Sequence, residues 1–296
     1  MRILAIVPFL NEQTHIGRFL DSLAAQERIP DRLLLIDDGS TDGSPEVAAA
    51  FAARHPWAEL HRRPARAPSR DRLAGGSAVR AFTWGLEQAD DPWDIAVKMD
   101  ADLALTPDVF AEIERRFVAD PRLGMAGPYL SVTTDSGARV RQRCPAHHVE
   151  GPTKFYRRAC YEQIGPLPAM LGWDTIDEIR AQMRGWETWS FAMPAGDPEH
   201  LRAMGSHDGR LRGFRRWGSC AYGYGEHPLH VLLVGMQKMR DRPRVLGGVH
   251  YVAGWMMAAL RRMPRAEPEL RAWVRREQLR RIRRRVRRSL GAAGAR

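Results

Sequence analysis

The first half of the chain alternates short apolar runs with segments of helical spacing. Runs rich in Leu, Ile and Val at 2–8, 33–37 and 95–99 predict buried strands. Apolar positions three and four residues apart at 14–26 and 77–88 predict helices that cover them. Strands that alternate with helices are typical of a mostly parallel sheet with helices on both faces. The sequence therefore predicts an α/β fold.

The remaining elements are predicted from weaker patterns. Pro45 and Thr106 stand where helices begin, so we predict helices over 45–54 and 106–118, the second capped by Thr106. The further predictions are strands at 58–62, 125–132 and 187–193, helices at 153–164 and 175–184, loops at 205–225, and apolar segments at 231–239 and 245–260.

The chain has 296 residues and a formal net charge of +11, but this charge is concentrated at one end. Residues 261–296 contain 14 Arg and three Glu, so they account for the whole excess. The rest of the chain is neutral overall. Because the body of the chain is electrically balanced, the high isoelectric point alone does not predict nucleic-acid binding.

Cysteine usage and apolar run lengths exclude other classes. The three cysteines have no Cys-x-x-Cys spacing, which excludes a disulfide scaffold and a zinc ribbon and suits a reducing compartment. No run reaches the roughly 18–20 apolar residues of a spanning helix. The first residues end in Asn-Glu without a small-residue cleavage site. We therefore expect a first strand rather than a signal peptide, and a cytoplasmic location.

Acidic groups follow several predicted strands at the point where each strand ends. They are Asn11-Glu12, Asp37-Asp38 and Asp100-x-Asp102, with Asp174-x-x-Asp177-Glu178 further along. Ligands of open parallel sheets bind outside the carboxyl ends of the strands, so the first three groups are expected in one crevice. Crowded carboxylates raise one another's pKa, and a divalent cation removes that repulsion. Carboxylate oxygens suit Mg²⁺ or Mn²⁺, which commonly bind substrate phosphates too, so a nucleotide diphosphate is the expected occupant.

Four segments resemble the successive motifs of family 2 glycosyltransferases with the GT-A fold. They are VPFLNE, LLLIDDGSTDGS, VKMDADLAL and GWDTIDEIRAQMRGW, and the resemblance covers about residues 1–190. The specific part is the DDGSTD run followed roughly 60 residues later by Asp-x-Asp. The resemblance implies a metal-dependent, inverting transfer of a sugar from a nucleotide donor, expected to be a UDP-sugar, to a hydroxyl acceptor. Two later segments, GPTKFYRRACYEQIG and HLRAMGSHDGRLRGF, resemble a bacterial branch of this family that builds surface glycans, which implies a role in polysaccharide or glycolipid assembly.

The resemblance also implies roles for individual residues. The nucleotide-binding candidates are Pro8, Asn11, Glu12, Asp37, Asp38 and Asp100. Among them, Asp38 would contact the base with Asp37 in support, and Asp100 would lie by the ribose and the metal. Asp102 would bind the metal that bridges the diphosphate. GT-A enzymes can draw a further ligand of Mg²⁺ or Mn²⁺ from this part of the chain, so His200 is a candidate metal ligand. The alternative is that His200 is an ordinary hydrogen-bonded histidine.

The general base is expected in the second half of the chain. In the family an Asp stands eleven residues before a Gly-aromatic pair, and Asp174 fits that spacing. Trp173 replaces the acid that usually precedes this Asp. Asp177 lies three residues further on, on the same face of a helix, so it is the second catalytic candidate and Glu178 the third.

The expected organisation has three parts. Residues 1–130 form the nucleotide-sugar-binding half of a GT-A domain, 131–230 its acceptor-binding half, and 231–296 an apolar and then Arg-rich helical extension. The extension carries apolar residues at near-helical spacing among its arginines: Leu270, Trp273, Val274, Ile282, Val286 and Leu290. Such a cationic helix is typical of attachment to an anionic membrane surface, near a glycan or lipid-linked acceptor. A solvated or partner-binding tail for 261–296 is the alternative.

Other functions stay open at this point. A nucleotidyltransferase that makes the activated sugar would carry a Gly-rich loop with Lys or Arg after the first strand, which VPFLNEQTHIG lacks. A nucleic-acid-binding protein would use the arginine tail, but the neutral body weighs against it and no nucleic acid is expected. An inactive GT-A homologue would act as a scaffold, although Asp100 and Asp102 are intact. Asp38 and Asp42 have an alternative role, in which they only cap a turn and the helix that follows it.

Overall fold

A computed structural model describes residues 1–64, 76–134, 136–202, 209–240 and 243–293, with the side chains at 210 and from 284 onward excepted. The chain divides into two compact units, Met1–Ala203 and Met204–Arg296. The boundaries predicted at 130 and 230 divide the chain by function and stay a prediction.

A seven-stranded sheet forms the centre of the first unit. The strands of the described residues are Ile3–Phe9 (β1), Arg32–Asp37 (β2), Ala58–Arg62 (β3), Ile95–Met99 (β4), Leu103–Ala104 (β5), Leu123–Pro128 (β6), Ser131–Thr133 (β7), Arg139–Arg141 (β8), Thr153–Arg157 (β9), Glu187–Phe191 (β10) and Glu199–His200 (β11). The large sheet has the order β10-β6-β9-β4-β1-β2-β3. In it, β9 runs antiparallel to β4 and β6, and the other described pairings are parallel. A smaller sheet has the order β5-β11-β7-β8.

Helices follow most strands of the first unit, and the described part of the second unit is helical. The helices are Ile16–Ala24 (α1), Ser44–Arg54 (α2), Ser77–Glu87 (α3), Val109–Ala119 (α4), Arg158–Ile164 (α5), Trp173–Met183 (α6), Arg210–Gly223 (α7), Pro228–Lys238 (α8), Leu246–Leu260 (α9) and Pro268–Ala293 (α10).

Alternate residues of β1 and β2 enter two hydrophobic cores, one on each face of the sheet. The odd-numbered apolar residues pack with Phe19, Phe51 and Phe110 of α1, α2 and α4. The even-numbered ones pack with Phe82 of α3 and Cys160 of α5. Since both faces are covered, the central strands are apolar throughout, as parallel strands generally are. The predicted α/β architecture is confirmed.

Two predicted elements of the first unit are wrong in part. The helix predicted over 153–164 begins at Arg158, because the preceding residues form β9 and fill the space between β4 and β6. The strand predicted over 125–132 is divided between β6 and β7, which belong to different sheets. A proline at position 128 ends β6, and proline has no N–H to continue a ladder.

Two other local predictions are also wrong. Thr106 does not cap α4, which begins at Val109 after Asp108, and the Thr106 hydroxyl has no hydrogen-bond partner. The loop predicted over 205–225 is largely the helix α7 from residue 210 on. Residues 205–208 lie outside the described residues.

In the second unit, α9 packs against α7 and α8. The apolar segments predicted at 231–239 and 245–260 correspond to α8 and α9, and the arginine-rich tail corresponds to α10. Leu270 and Val274 of α10 are buried. Within the described residues, no helix has both the length and the apolar character needed to cross a bilayer.

Candidate active site

The loops after β1 and β2 are tied together at the carboxyl ends of these strands. Asn11 has a φ of 56°, and its Oδ1 accepts a hydrogen bond from the Thr41 N–H at 2.7 Å. The Glu12 N–H donates to Ser44 Oγ at 2.7 Å. Asp37 Oδ1 accepts from the N–H groups of residues 39 and 40, so Asp37 holds the second loop in shape. Both loops are thereby fixed at one edge of the sheet.

Asp38 faces a cation at the same edge. Its Oδ1 accepts from Arg63 Nη1 at 2.5 Å, and its Oδ2 accepts from Ser77 Oγ. Both ionic partners are largely buried, with side-chain exposures of 13% for Asp38 and 8% for Arg63. Asp38 is therefore a positioned hydrogen-bond acceptor rather than a helix cap. Pro8 lies one strand away, buried in β1 opposite Ile36.

Three carboxylates converge beside the carboxyl ends of β1 and β4. Burial raises the pKa of Glu12, and the nearby charges of Asp102 and Asp100 raise it further. The Arg202 guanidinium opposes this shift through two hydrogen bonds to Glu12, at 2.7 and 3.2 Å. Burial likewise raises the pKa of Asp100, against the charge of Lys98. The charges of Glu12, Asp100 and Asp102 therefore act on one another at this edge of the sheet.

The pairing of β5 with β11 brings His200 to Asp102. Leu103 is the register partner of His200, and the Leu201 N–H donates to the Asp102 carbonyl at 2.8 Å. His200 Nε2 lies 3.4 Å from Asp102 Oδ2. Although burial opposes it, this imidazole lowers the pKa of Asp102, and Asp102 in turn raises the pKa of His200.

The donor set fits a divalent cation only in part. Asp102 Oδ1 is buried and accepts no hydrogen bond, so this oxygen atom has a free lone pair. The carboxylates of Asp100 and Asp102 suit Mn²⁺ or Mg²⁺. Within the described residues, however, no three His, Cys, Asp or Glu side chains are close enough together to hold an ion. Since Mg²⁺ and similar ions are commonly completed by substrate phosphates, a partial protein site is what such chemistry needs.

Asp174 and Asp177 occupy different environments although they lie three residues apart. Asp174 stands in the first turn of α6, half-buried, and its Oδ2 would lie 2.9 Å from a Cβ built on Gly151. Asp177 is 0% exposed, and its carboxylate accepts from Lys154 Nζ at 2.8 Å and from Tyr156 Oη at 2.6 Å. Burial raises the pKa of Asp177 to about 6. Asp177 is buried and both of its carboxylate oxygens accept hydrogen bonds, so its environment argues against a role as the base.

Glu178 is engaged in the same interior network. His148 Nδ1 lies 2.8 Å from its Oε2, and the Val149 N–H donates to its Oε1 at 2.8 Å. Lys154 Nζ lies 3.0 Å from Oε1 as well. Burial opposes ionisation of Glu178, but Lys154 and His148 hold its pKa below the usual value. Glu178, the third candidate base, is therefore held in the interior by hydrogen bonds, as Asp177 is.

Two buried lysines form a feature that the sequence analysis missed. Lys98 of β4 and Lys154 of β9 are direct partners in the antiparallel register. Lys98 Nζ donates to Asp100 and, at 2.9 Å, to the Gly151 carbonyl. Their ammonium groups lie 5.6 and 5.7 Å from the centroid of the Trp173 ring, within the range of cation–π attraction. A lysine inside the apolar run IAVKM is the sequence signal for the first of them.

Glu150 was missed too. It is buried, and neither carboxylate oxygen accepts a hydrogen bond of good geometry, although the Leu130 N–H lies near enough to lower its pKa somewhat. Burial nevertheless raises the pKa of Glu150, against the charges of His148 and His200. Glu150 directly precedes Gly151, the residue that touches both Lys98 and Asp174. No local pattern in the sequence distinguishes it from a surface acid.

The order of these motifs has a counterpart among known proteins. Residues 4–169 match the model of the family described as Glycosyl transferase family 2. The chain belongs to this family. The match includes Glu12, Asp38, Asp100 and Asp102 and ends before Asp174, so the candidate base lies outside the matched residues.

Curated relatives of this family 2 chain act on polyprenyl-linked substrates, as their names state. An undecaprenyl-phosphate mannosyltransferase of Micrococcus luteus is 34% identical over 113 residues, which cover 36% of this chain and 41% of the relative. An N-acetylglucosaminyl-diphospho-decaprenol L-rhamnosyltransferase of Mycobacterium tuberculosis is 29% identical over 181 residues, or 54% of each chain. The chain thus matches about half the length of these relatives or less.

Solved structures support the fold. A mannosyltransferase of Pyrobaculum calidifontis, solved with GDP-mannose and Mn²⁺, superposes with a TM-score of 0.54 at 18% identity. The superposition covers 92% of this chain and 83% of the other. The GT-A fold predicted for this family 2 chain is confirmed.

Proposed function

We propose that this chain transfers a sugar from a nucleotide-diphosphate donor to a hydroxyl acceptor with inversion at the anomeric carbon. The observation that carries the proposal is the convergence of Glu12, Asp100 and Asp102, with Asp102 Oδ1 buried and unpartnered. Buried carboxylates are costly unless a cation or a hydrogen-bonded partner compensates them. A diphosphate bound with a divalent cation supplies that compensation at the expected edge of the sheet.

Asp102 and Asp100 would hold Mg²⁺ or Mn²⁺ together with the diphosphate, and His200 would have to move closer to become a further ligand, because the three side chains are not clustered in this structure. Such an ion, when bound, neutralises charge on the departing diphosphate, which is worth on the order of several kcal/mol. The unpartnered Asp102 Oδ1 supports this assignment. The Mn²⁺ in the Pyrobaculum structure, although that protein is a remote relative, agrees with the choice of ion.

Asp174 is the general base in this proposal. Its carboxylate takes the proton of the acceptor hydroxyl while that oxygen forms the bond to the anomeric carbon. The bond from this carbon to the diphosphate oxygen breaks, and its electron pair leaves with the nucleoside diphosphate. General base catalysis of this kind contributes roughly 10²–10⁴-fold. Asp177 and Glu178 attach α6 to β9 through their ion pairs with Lys154.

The loops after β1 and β2 form the nucleotide pocket in this proposal. Asn11 and Asp37 shape the two loops, and Pro8 supports them from β1. Asp38 accepts hydrogen bonds from the nucleobase, with Arg63 as the ionic partner that holds its carboxylate in place. Uracil offers a suitable N–H donor, so a UDP-sugar is the first donor to test.

The acceptor is proposed to be lipid-linked and the pathway to be the assembly of a surface polysaccharide or glycolipid. The polyprenyl-linked substrates in the relatives' names support this class. We propose a location on the inner face of the cell membrane, because 14 arginines of 261–296 favour an anionic surface.

A binding and release assay tests the proposed function. UDP-, GDP- and dTDP-sugars are titrated into the full chain with and without Mn²⁺, and nucleotide release is measured with a polyprenyl phosphate acceptor. We expect one donor to bind in a Mn²⁺-dependent way and to release its nucleoside diphosphate. Asp102→Asn should abolish the Mn²⁺ dependence, whereas Asp90→Asn, an exposed acid elsewhere, should not. Release of pyrophosphate from a nucleoside triphosphate and a sugar phosphate would instead indicate a nucleotidyltransferase.

A further inference from the structure

Helix α8 exposes large apolar side chains along one face. Leu229, Leu232, Leu233 and Met236 are 39–54% exposed. Their spacing of three, one and three residues places them on one stripe of a helix. A stripe of this kind is normally buried against a neighbouring element, so its exposure needs an explanation.

Helix α9 exposes a second apolar stripe. Leu246, Val249, Met256 and Leu260 are 47–81% exposed. Since α8 and α9 pack against each other within the second unit, we define the eight residues of the two stripes as the α8–α9 face. Exposed apolar patches on this scale usually mark an interaction site.

Glycines lie at the closest contacts among α7, α8 and α9. A Cβ on Gly248 would lie 2.2 Å from the Gly235 carbonyl oxygen, and one on Gly254 would lie 2.0 Å from that of Arg215. Gly218 of α7 approaches Tyr251 of α9 in the same way. Glycines at close helix–helix contacts are typical of helices that pack in contact with lipid.

Basic residues border the α8–α9 face at its ends. Arg240 and Arg244 lie between α8 and α9, and Arg261 and Arg262 follow α9 directly, all four exposed. Residues 228–262 contain six Lys or Arg and a single acid, Asp241. This charge is complementary to anionic lipid headgroups.

The first turns of the tail helix do not offer the apolar stripe that their sequence predicts. Leu270 and Val274 are buried, and the Ala266 N–H and the Arg275 guanidinium bond to the Gly223 and Gly225 carbonyls. The side chains of Val286 and Leu290 lie outside the described residues. The first turns of α10 therefore serve to complete the helical unit rather than to bind lipid.

We propose that the α8–α9 face is the membrane-binding surface of this chain and that its occupant is an anionic bilayer. The apolar stripes enter the boundary between headgroups and acyl chains, and the flanking arginines bind the headgroups. The purpose of this surface, access to a lipid-linked acceptor, rests on the proposed function. The membrane binding itself requires no substrate.

Vesicle co-sedimentation tests the surface directly. The full chain is mixed with phosphatidylcholine vesicles with or without phosphatidylglycerol, in the absence of donor and acceptor. We expect binding that needs phosphatidylglycerol and weakens with salt. The pairs Leu232→Glu with Met236→Glu and Met256→Glu with Leu260→Glu should each weaken it by at least about tenfold, since each removes two leucine-sized insertions. Val118→Glu, at an exposed apolar residue of α4, is the matched control and should bind as the wild type does.

Each outcome bears on the proposal separately from the proposed function. All substituted residues are exposed, so circular dichroism should show unchanged folding. The double variant Arg261→Gln with Arg262→Gln alters the charge of the surface and leaves its apolar stripes unchanged. Equal vesicle binding by the wild type and by the glutamate pairs would refute the proposal that the α8–α9 face binds the membrane. A dimer in sedimentation velocity that these pairs abolish, without vesicle binding, would assign the face to a second copy and also overturn it. If the wild-type chain binds vesicles but transfers no sugar, the proposed function is refuted and the membrane-binding surface is not.

Discussion

Gly151 lies against Asp174 so closely that a Cβ at residue 151 would come within 2.9 Å of Asp174 Oδ2. The contact joins the loop before β9, whose Pro152 carbonyl accepts from the Asp100 N–H at 2.8 Å, to the first turn of α6. The candidate base is thereby held in register with the carboxylates after β4.

Gly151→Ala should displace the Asp174 carboxylate without unfolding the chain, because the atom that must move is the end of a side chain. A displacement of about 1 Å at a reacting group costs on the order of 100-fold in turnover. We expect a loss of this size in kcat with an unchanged melting temperature, measured by nucleotide release and thermal unfolding. Gly17→Ala in α1, where a Cβ meets nothing within 4 Å, is the control. Equal turnover in the two variants would show that the contact does not position the base.

Lys154→Met should destabilise the first unit strongly. It leaves Asp177 and Glu178 without the ammonium group that lies 2.8 and 3.0 Å from them in a fully buried site. Removal of one partner from a buried ion pair costs roughly 3–5 kcal/mol. Urea unfolding measures the loss, with Asp91→Asn, at an exposed pair 3.8 Å from Arg32, as a control expected to cost at most about 1 kcal/mol. A small effect of Lys154→Met would mean that the two acids are protonated in the folded state.

The central strands and the acidic loops could be predicted because their signals are local. Apolar runs of β1, β2 and β4 end in polar residues, and parallel strands bring those ends together. The lysine pair could not be predicted, because the contacts of Lys98 and Lys154 depend on an antiparallel register between residues that lie 56 positions apart in the sequence. The different environments of Asp174 and Asp177 could not be predicted for a similar reason. Their helical spacing is local, but the burial of Asp177 under Tyr156 is not.

The pairing of His148 with Glu178 should make stability depend on pH above neutrality. Burial alone would lower the pKa of His148, but Glu178 raises it to about 9. A group whose pKa is higher in the folded state stabilises fully below its unfolded value, near 6.5, and loses this contribution as the pH rises through about 9. We expect the free energy of unfolding to fall between pH 6.5 and 9. In His148→Gln the fall should be smaller, and the comparison isolates His148 because His200 also has a raised pKa. Identical slopes in the two proteins would refute the ion pair.

Gly254→Val should destabilise the second unit, because its Cβ would lie 2.0 Å from the backbone oxygen of Arg215, which cannot yield as a side chain can. Overpacking of this kind costs roughly 1–3 kcal/mol or more. Hydrogen exchange should show faster opening of α7 and α9, with Gly213→Ala, at an open position of α7, as the control. Unchanged protection in Gly254→Val would mean that the two helices are not in close contact.

Single-turnover kinetics of Asp174→Asn, combined with a direct measurement of donor affinity, tests the central claim. The substitution keeps the shape of the side chain and removes its ability to accept a proton at neutral pH. The account predicts a loss of about 10²–10⁴ in the rate of sugar transfer with donor affinity and Mn²⁺ dependence nearly unchanged. Transfer at the wild-type rate by Asp174→Asn would contradict it.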